Sequence, residues 1–315
     1  MFRKVIIALV LILLALPVSS SAMGSFTAQK EDNSKKCKTI YPVVFAHGFG
    51  FKEGMLGFLD YFYKVEEAIV AEGGVTFTPT INAMDNVENK AKSFKEQVEK
   101  FMLLTGAEKV NIIGHSHGGI YTRYAITMLG MEDVVASHTS IDAPQRGSSG
   151  PDMVLEMCQA VNNITGSANG TTENIVGDIV DAIYGNILGD NNPNSEQNCV
   201  ELSTDYMQNE FNPVVTDSPK VYYQSYAGVI KYISPSNSWA MLLWPAIGLR
   251  EGANDGAVSE FSAKWGNYRG KLKGAWWSNG VDHIKVVGQP FGITPGFDAP
   301  EFYTDVVREL VTTGY

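Results

Sequence analysis

The 315-residue chain is 44% hydrophobic and 18% charged, with a formal net charge of −10. A core of useful size is available to it. Its acidity and its lack of a dense basic cluster exclude a phosphate-tracking role, so nucleic acid is not an expected partner. The three cysteines and five histidines show no metal-type spacing.

Taken in chain order, the sequence starts with an address. Arg3 and Lys4 precede an apolar run over residues 5–16, followed by Pro17 and the small residues Ser20-Ser21-Ala22. This predicts a secretory signal peptide over residues 1–22, cleaved after Ala22. The competing reading is an N-terminal anchor, for which the run falls short of the roughly 20 residues that span a bilayer. The rest, residues 23–315, reads as one domain with an insertion, secreted or periplasmic. In an oxidising compartment one cysteine pair and one odd thiol are expected. Cys158 and Cys199 share the insertion and are the expected pair, which leaves Cys37.

Tyr41-Pro42-Val43-Val44-Phe45-Ala46 reads as a buried strand running into His47-Gly48-Phe49-Gly50, and residues 75–81 as a second strand. Residues 88–105 predict an amphipathic helix. Ala91, Phe94, Val98, Phe101 and Met102 share one face, and Gly106 supplies the C-cap. Val110-Asn111-Ile112-Ile113 is a strand, and a helix follows from Gly118 to about Leu129. Residues 134–141 form the next strand and end in Asp142-Ala143-Pro144. This alternation predicts an α/β fold with a mostly parallel central sheet and helices on both faces.

From about residue 148 to 217 the alternation breaks and Gly, Asn and Ser become frequent. One helical pattern stands out at about residues 173–188, with Ile175, Ile179, Ile183 and Ile187 on one face. The region is expected to be an inserted helical cap or lid. Beyond it come a strand candidate over residues 220–229, a loop carrying Asn254-Asp255-Gly256, the pair Asp282-His283, and a last helix over residues 299–313.

The chemistry lies between strand and helix. Gly114-His115-Ser116-His117-Gly118 is a Gly-x-Ser-x-Gly elbow, a turn so sharp that flanking side chains would collide. It lifts the Ser116 hydroxyl above the sheet edge and aims a helix N-terminus at the reacting carbonyl. The backbone N–H groups of Phe49 and His117 are the expected oxyanion donors. A serine nucleophile needs a base, and the base needs an orienting carboxylate, in the chain order Ser, acid, His. His283 is the histidine beyond the insertion and near the C-terminus. Asp255 and Asp282 compete for the acid. Asp255 lies in a turn after a late strand, whereas Asp282 adjoins the base and is poorly placed to face it. Asp142 comes too early, and His115 and His117 read as packing and backbone positions. The expected triad is Ser116, Asp255 and His283.

With these residues in place the chain resembles the secreted true lipases of the Pseudomonas, Burkholderia and Proteus group. The resemblance rests on Val44-Phe45-Ala46-His47-Gly48, on residues 110–119, on Ala143-Pro144-Gln145-Arg146-Gly147-Ser148, on Ala253-Asn254-Asp255-Gly256, and on Asp282-His283 followed by Gln289-Pro290-Phe291-Gly292. It implies an α/β-hydrolase fold, triacylglycerol hydrolysis at a lipid–water interface, the same triad, and a mobile lid at about residues 173–188. Two departures stand out. The group's calcium ion is held by two aspartates, and the matching positions here are Ser234 and Lys285. The group's disulfide also has no match, since Phe261 stands at one of its positions. No metal or other cofactor is therefore expected.

The same triad serves a carboxylesterase or polyester hydrolase, which is the alternative reading, and an acyltransferase. A non-catalytic lipid- or glycan-binding module on this fold is the reading from another class. Chain-length preference, regioselectivity, oligomeric state and any folding helper are not encoded in these motifs.

Overall fold

Short apolar runs rich in Val and Ile, spaced by helix-length segments, pair here as parallel strands buried on both faces. The computed structural model describes residues 36–48, 61–82, 85–165, 195–290 and 292–315. Six strands form one sheet: β1 (Val43–Ala46), β2 (Thr76–Phe77), β3 (Val110–His115), β4 (Val135–Ile141), β5 (Tyr222–Ala227) and β6 (Asn267–Lys271). Their order is β2-β1-β3-β4-β5-β6, with every neighbouring pair parallel. The register aligns Val44 with Ile112, Ile112 with His138, and His138 with Tyr223. All parallel strands end on one edge, and the elbow loop leaves from that edge.

Alternate strand residues point to opposite faces, so two cores form. On one face Val44, Val110 and Ile112 pack with Phe94 and Val98 of α2 (Val87–Thr105) and with Ile120, Tyr121 and Ala125 of α3 (Gly118–Met128). On the other, Val43, Phe45, Ile113 and Ile141 pack with Ile69 of α1 (Val65–Ala71) and with Tyr303, Val306 and Val307 of α8 (Ala299–Thr313). Phe45 is fully buried against Phe62 and Tyr303. Truncating it to alanine would cost about 3–5 kcal/mol. Asn86 caps the start of α2 by accepting from the Asn89 N–H, and Gly106 ends it at φ 71°.

The expected mostly parallel α/β sheet is what forms, with three corrections. The second strand is only Thr76–Phe77 rather than 75–81, because Pro79 has no N–H to give the ladder. The edge strand β6 was not anticipated. Its sequence Asn-Tyr-Arg-Gly-Lys lacks apolar alternation, as suits an edge kept unattractive to other strands. The insertion holds more than one helical segment: α4 (Ser149–Thr165), α5 (Ser195–Glu201) and a π-helical stretch Tyr206–Phe211. Two further helices, α6 (Leu243–Glu251) and α7 (Glu260–Ala263), lie between β5 and β6. The signal peptide, Phe49 and the helix expected at 173–188 lie outside the described residues.

Both ends of the insertion meet at one side chain. Arg123 of α3 is 1% exposed. Its guanidinium donates to Gln145 Oε1 (2.8 Å) on one side, and to Asn212 Oδ1 (3.0 Å) and the Val215 carbonyl (2.8 Å) on the other. It lies 4.0 Å from the Trp265 ring and pairs with Asp217 at 3.3 Å. Cys158 on α4 and Cys199 on α5 are both buried, on helices that pack together.

Candidate active site

The elbow turns at Ser116, which adopts φ 55° in the left-handed region. A non-glycine residue there is held against its preference, and such strain clusters at functional sites. Glycine is required around it. A Cβ on Gly118 would sit 2.0 Å from the Ala46 carbonyl oxygen, and one on Gly114 would meet the Gly118–Gly119 backbone at 2.8 Å. The Ser116 N–H donates to the Ile141 carbonyl at 3.0 Å, which ties the turn to β4. His117 directly precedes α3, so its backbone N–H stands at the positive end of that helix.

The structure brings Ser116, His283 and Asp255 into one line. His283 Nε2 lies 2.8 Å from Ser116 Oγ, and His283 Nδ1 lies 2.6 Å from Asp255 Oδ2. The other carboxylate oxygen of Asp255 accepts from the N–H groups of Ala257 (2.8 Å) and Val258 (2.7 Å). Asp255 is fully buried, and those two bonds fix its orientation. Burial pulls the His283 imidazole down, but the Asp255 charge and its hydrogen bond to the ring outweigh it and hold it above its ordinary value. It is thus a strengthened base, with Nδ1–H donating to Asp255 and Nε2 free to take the serine proton.

Asp282, the competing acid, faces elsewhere. Its Oδ1 accepts from the Ile284 and Lys285 N–H groups at 3.0 and 2.9 Å, and its Oδ2 lies 2.8 Å from Lys285 Nζ. The expected calcium positions fall in this same cluster. Lys285 Nζ also donates to Ser236 Oγ at 3.1 Å, and Ser236 Oγ lies 2.9 Å from Ser234 Oγ. Asn279 Nδ2 donates to Ser234 Oγ at 3.0 Å. These residues do not fit a calcium ion. An ammonium group already sits on the nearby carboxylate, where it would repel a divalent cation.

Tyr61 and Lys90 carry no sequence signal for a role, and the sequence sets Asp142 aside as a candidate acid. Tyr61 Oη accepts from the Gly48 N–H at 2.8 Å and lies 2.6 Å from His115 Nδ1, to which it donates. The His115 ring packs on His283 with centroids 4.6 Å apart. Burial and the neighbouring His283 push its pKa well down, so it stays neutral. Lys90 of α2 is 1% exposed, and its Nζ lies 2.8 Å from His117 Nδ1 and 3.1 Å from Asn198 Oδ1. Burial pulls its ammonium down to about 7, against the charges of Glu201 and Asp85. Asp142, too early in the chain to read as the acid, lies at the end of β4 at φ 49° and is 1% exposed. Its Oδ1 accepts from the Gly228 N–H. Phe49, the second expected oxyanion donor, lies outside the described residues.

A parallel sheet with a serine elbow, a late acid and a histidine near the C-terminus defines the α/β-hydrolase class. Within it, the family model described as palmitoyl protein thioesterase matches residues 42–215, and the chain belongs to that family. The match includes Ser116 but neither Asp255 nor His283. A triacylglycerol lipase of Vibrio cholerae is 33% identical over 178 residues, 56% of this chain and 55% of that protein. A triacylglycerol lipase of Pseudomonas fragi is 33% identical over 111 residues, 35% of this chain and 36% of that protein. The chain thus matches about half, or less, of the length of these curated relatives. They bear out the resemblance to the bacterial lipase group. Among solved structures, the mature lipase BlEst2 of Bacillus licheniformis superposes with a TM-score of 0.57 at 18% identity, covering 85% of this chain and 93% of that one. Lipase 1 of Pelosinus fermentans gives 0.57 at 15% identity, covering 87% and 99%. These likenesses show the fold.

Proposed function

We propose that the protein is a secreted serine ester hydrolase, a triacylglycerol lipase. The observation that carries this is the hydrogen-bonded line Ser116–His283–Asp255 at 2.8 and 2.6 Å. In this reading Ser116 Oγ attacks the ester carbonyl carbon while His283 Nε2 takes its proton. Asp255 holds the imidazole tautomer and stabilises the imidazolium without itself accepting the proton. The oxyanion is met by the His117 N–H and, from its place in the sequence, by the Phe49 N–H. An oxyanion donor is worth roughly 3–4 kcal/mol of barrier. Collapse expels the alcohol, protonated by His283, and leaves an acyl-serine that water cleaves by the same steps in reverse. No step needs a metal, and Lys285 takes the place of an ion beside the His283 loop. The signal peptide at residues 1–22, a lid at residues 173–188, and a Cys158–Cys199 disulfide belong to the same reading.

The experiment is hydrolysis by the purified protein of a p-nitrophenyl ester chain-length series and of a long-chain triglyceride emulsion. The lipase reading expects turnover of the emulsion, lost in Ser116→Ala. Turnover confined to short soluble esters sinks it in favour of a carboxylesterase. A second reading is favoured by the family model's description: a thioesterase acting on palmitoyl thioesters. A palmitoyl-thioester substrate in the same assay separates it, because that reading expects the thioester to be cleaved faster than the matched oxygen ester.

A further inference from the structure

Behind His283 lie two carboxyl groups, and the mechanism above uses one. Asp142 ends β4, the strand beside the one that leads into Ser116. Its backbone sits at φ 49°, in the left-handed region, just past the end of that strand. Outside glycine, aspartate and asparagine tolerate that conformation best, and it marks a position where the fold accepts strain. One carboxylate oxygen of Asp142 and one ring nitrogen each of His115 and His283 lie within 4.8 Å of one another. Asp142 Oδ2 is buried with no hydrogen-bond partner among the described atoms, and the same holds for His115 Nε2. A Cβ on Gly228 would stand 2.9 Å from that oxygen, so the strand opposite leaves room for the carboxyl.

Asp255 stands close enough to Asp142 for its charge to act on it. Two buried carboxyl groups that interact this strongly do not readily both ionise. Asp255 has the better claim to the negative charge, since it accepts two N–H groups and the His283 ring. The proton therefore stays on Asp142. Burial first, then the Asp255 charge, hold the Asp142 carboxyl well above its ordinary value. The titratable groups facing it are Asp255, His283, His115 of β3, Tyr303 of α8 and Tyr268 of β6.

We propose that Asp142 is a reserve carboxyl for His283: neutral while Asp255 is charged, and able to take over as the orienting carboxylate when the Asp255 charge is removed. It is a positioning residue, since it acts through His283 and touches no substrate atom. The inference rests on the triad reading above. In Asp255→Asn the Asp255 repulsion is gone and burial alone opposes ionisation, so Asp142 ionises at lower pH. Its charge then stabilises the imidazolium from within 4.8 Å.

The test compares kcat/KM on a short p-nitrophenyl ester, with the melting temperature, for Ser116→Ala, Asp255→Asn, Asp142→Asn and the Asp142→Asn/Asp255→Asn pair, from about pH 5 to 10. Asp255→Asn is expected to fall roughly a hundredfold near neutral pH and to regain about tenfold as Asp142 loses its proton. The double variant is expected to fall about a hundredfold further and to lack that rise. Asp142→Asn alone keeps a donor toward Asp255 and is expected to cost less than about tenfold. Asn suits the φ of Asp142, and Asp142→Gly, which suits it as well, repeats the comparison without a polar side chain. A double variant no worse than Asp255→Asn, or an Asp255→Asn profile that matches it, overturns the proposal. Activity persisting in Ser116→Ala instead overturns the triad reading itself.

Discussion

Removing the Lys285 ammonium tests what stands beside the catalytic histidine. The Lys285 and Asp282 side chains are 2% and 1% exposed and their charges lie 2.8 Å apart. Breaking a buried pair from one side typically costs 3–5 kcal/mol, because the partner is left uncompensated. At roughly 2 °C per kcal/mol for a chain of this size, Lys285→Ala should lower the melting temperature by about 6–10 °C. The loss has a definite pH dependence. Burial already raises the Asp282 carboxyl, with Lys285 pulling the other way. Without Lys285 the folded-state value rises further above the unfolded one. The deficit's pH-dependent part is then absent below the wild-type Asp282 value, itself raised, and grows with rising pH until the variant's higher value is passed, by up to about 1.4 kcal/mol per unit. The assay is thermal unfolding of wild type, Lys285→Ala and Asp282→Asn/Lys285→Met at several pH values, each with and without chelator. The double variant should recover most of the loss, and chelator should change nothing. A Lys285→Ala shift under about 2 °C would refute the buried-pair argument. Calcium-restorable loss in chelator would refute the replacement of an ion by an ammonium group.

Ser116→Ala should leave a folded protein whose kcat is reduced by about a millionfold, measured against the same ester with active wild type excluded by titration. The rate on free enzyme should rise with pH through a limb above the ordinary histidine value of about 6.5, because the base must be unprotonated and its partners hold its pKa up. A limb below about pH 6 contradicts that assignment. Peptide mapping without reduction should recover Cys158 joined to Cys199, closing a loop of roughly 40 residues worth about 4 kcal/mol in the chain-entropy treatment. A peptide containing Cys37 in disulfide linkage would refute the pairing.

The sequence carried the parts of the fold where period and chemistry agree. β1, β3 and β4 are runs of Val, Ile and small residues, and α2 carries both a stripe and caps. The site was legible because the serine turn demands glycines at fixed spacing and because few histidines compete. Strand β6 was not legible, since an exposed edge made of Asn, Tyr, Arg, Gly and Lys looks like a loop. Helices α1 and α6 were missed for a related reason: each buries only two of its residues. Asp142 lay hidden because its part depends on three strand ends converging, which no linear spacing expresses. Tyr61 and Lys90 are long-range partners of the same kind, meeting His115 and His117 from distant parts of the chain.

The guanidinium of Arg123 has an architectural consequence. It grips Gln145, just before the insertion, and Asn212, Val215 and Asp217, where the insertion returns to the sheet. Asn212 Nδ2 also donates to the Gln145 carbonyl at 2.8 Å, so the two ends are clasped to each other as well as to α3. This clasp is one of several ties of the insertion: Asn198 within it also accepts from Lys90, and Glu156 pairs with Arg250. Through Lys90, which meets both Asn198 and His117, the insertion also reaches the residue next to Ser116. A foreign cap spliced between Ser148 and Asn212 would keep the clasp at its base but lose Asn198, and with it the insertion's link to His117 through Lys90.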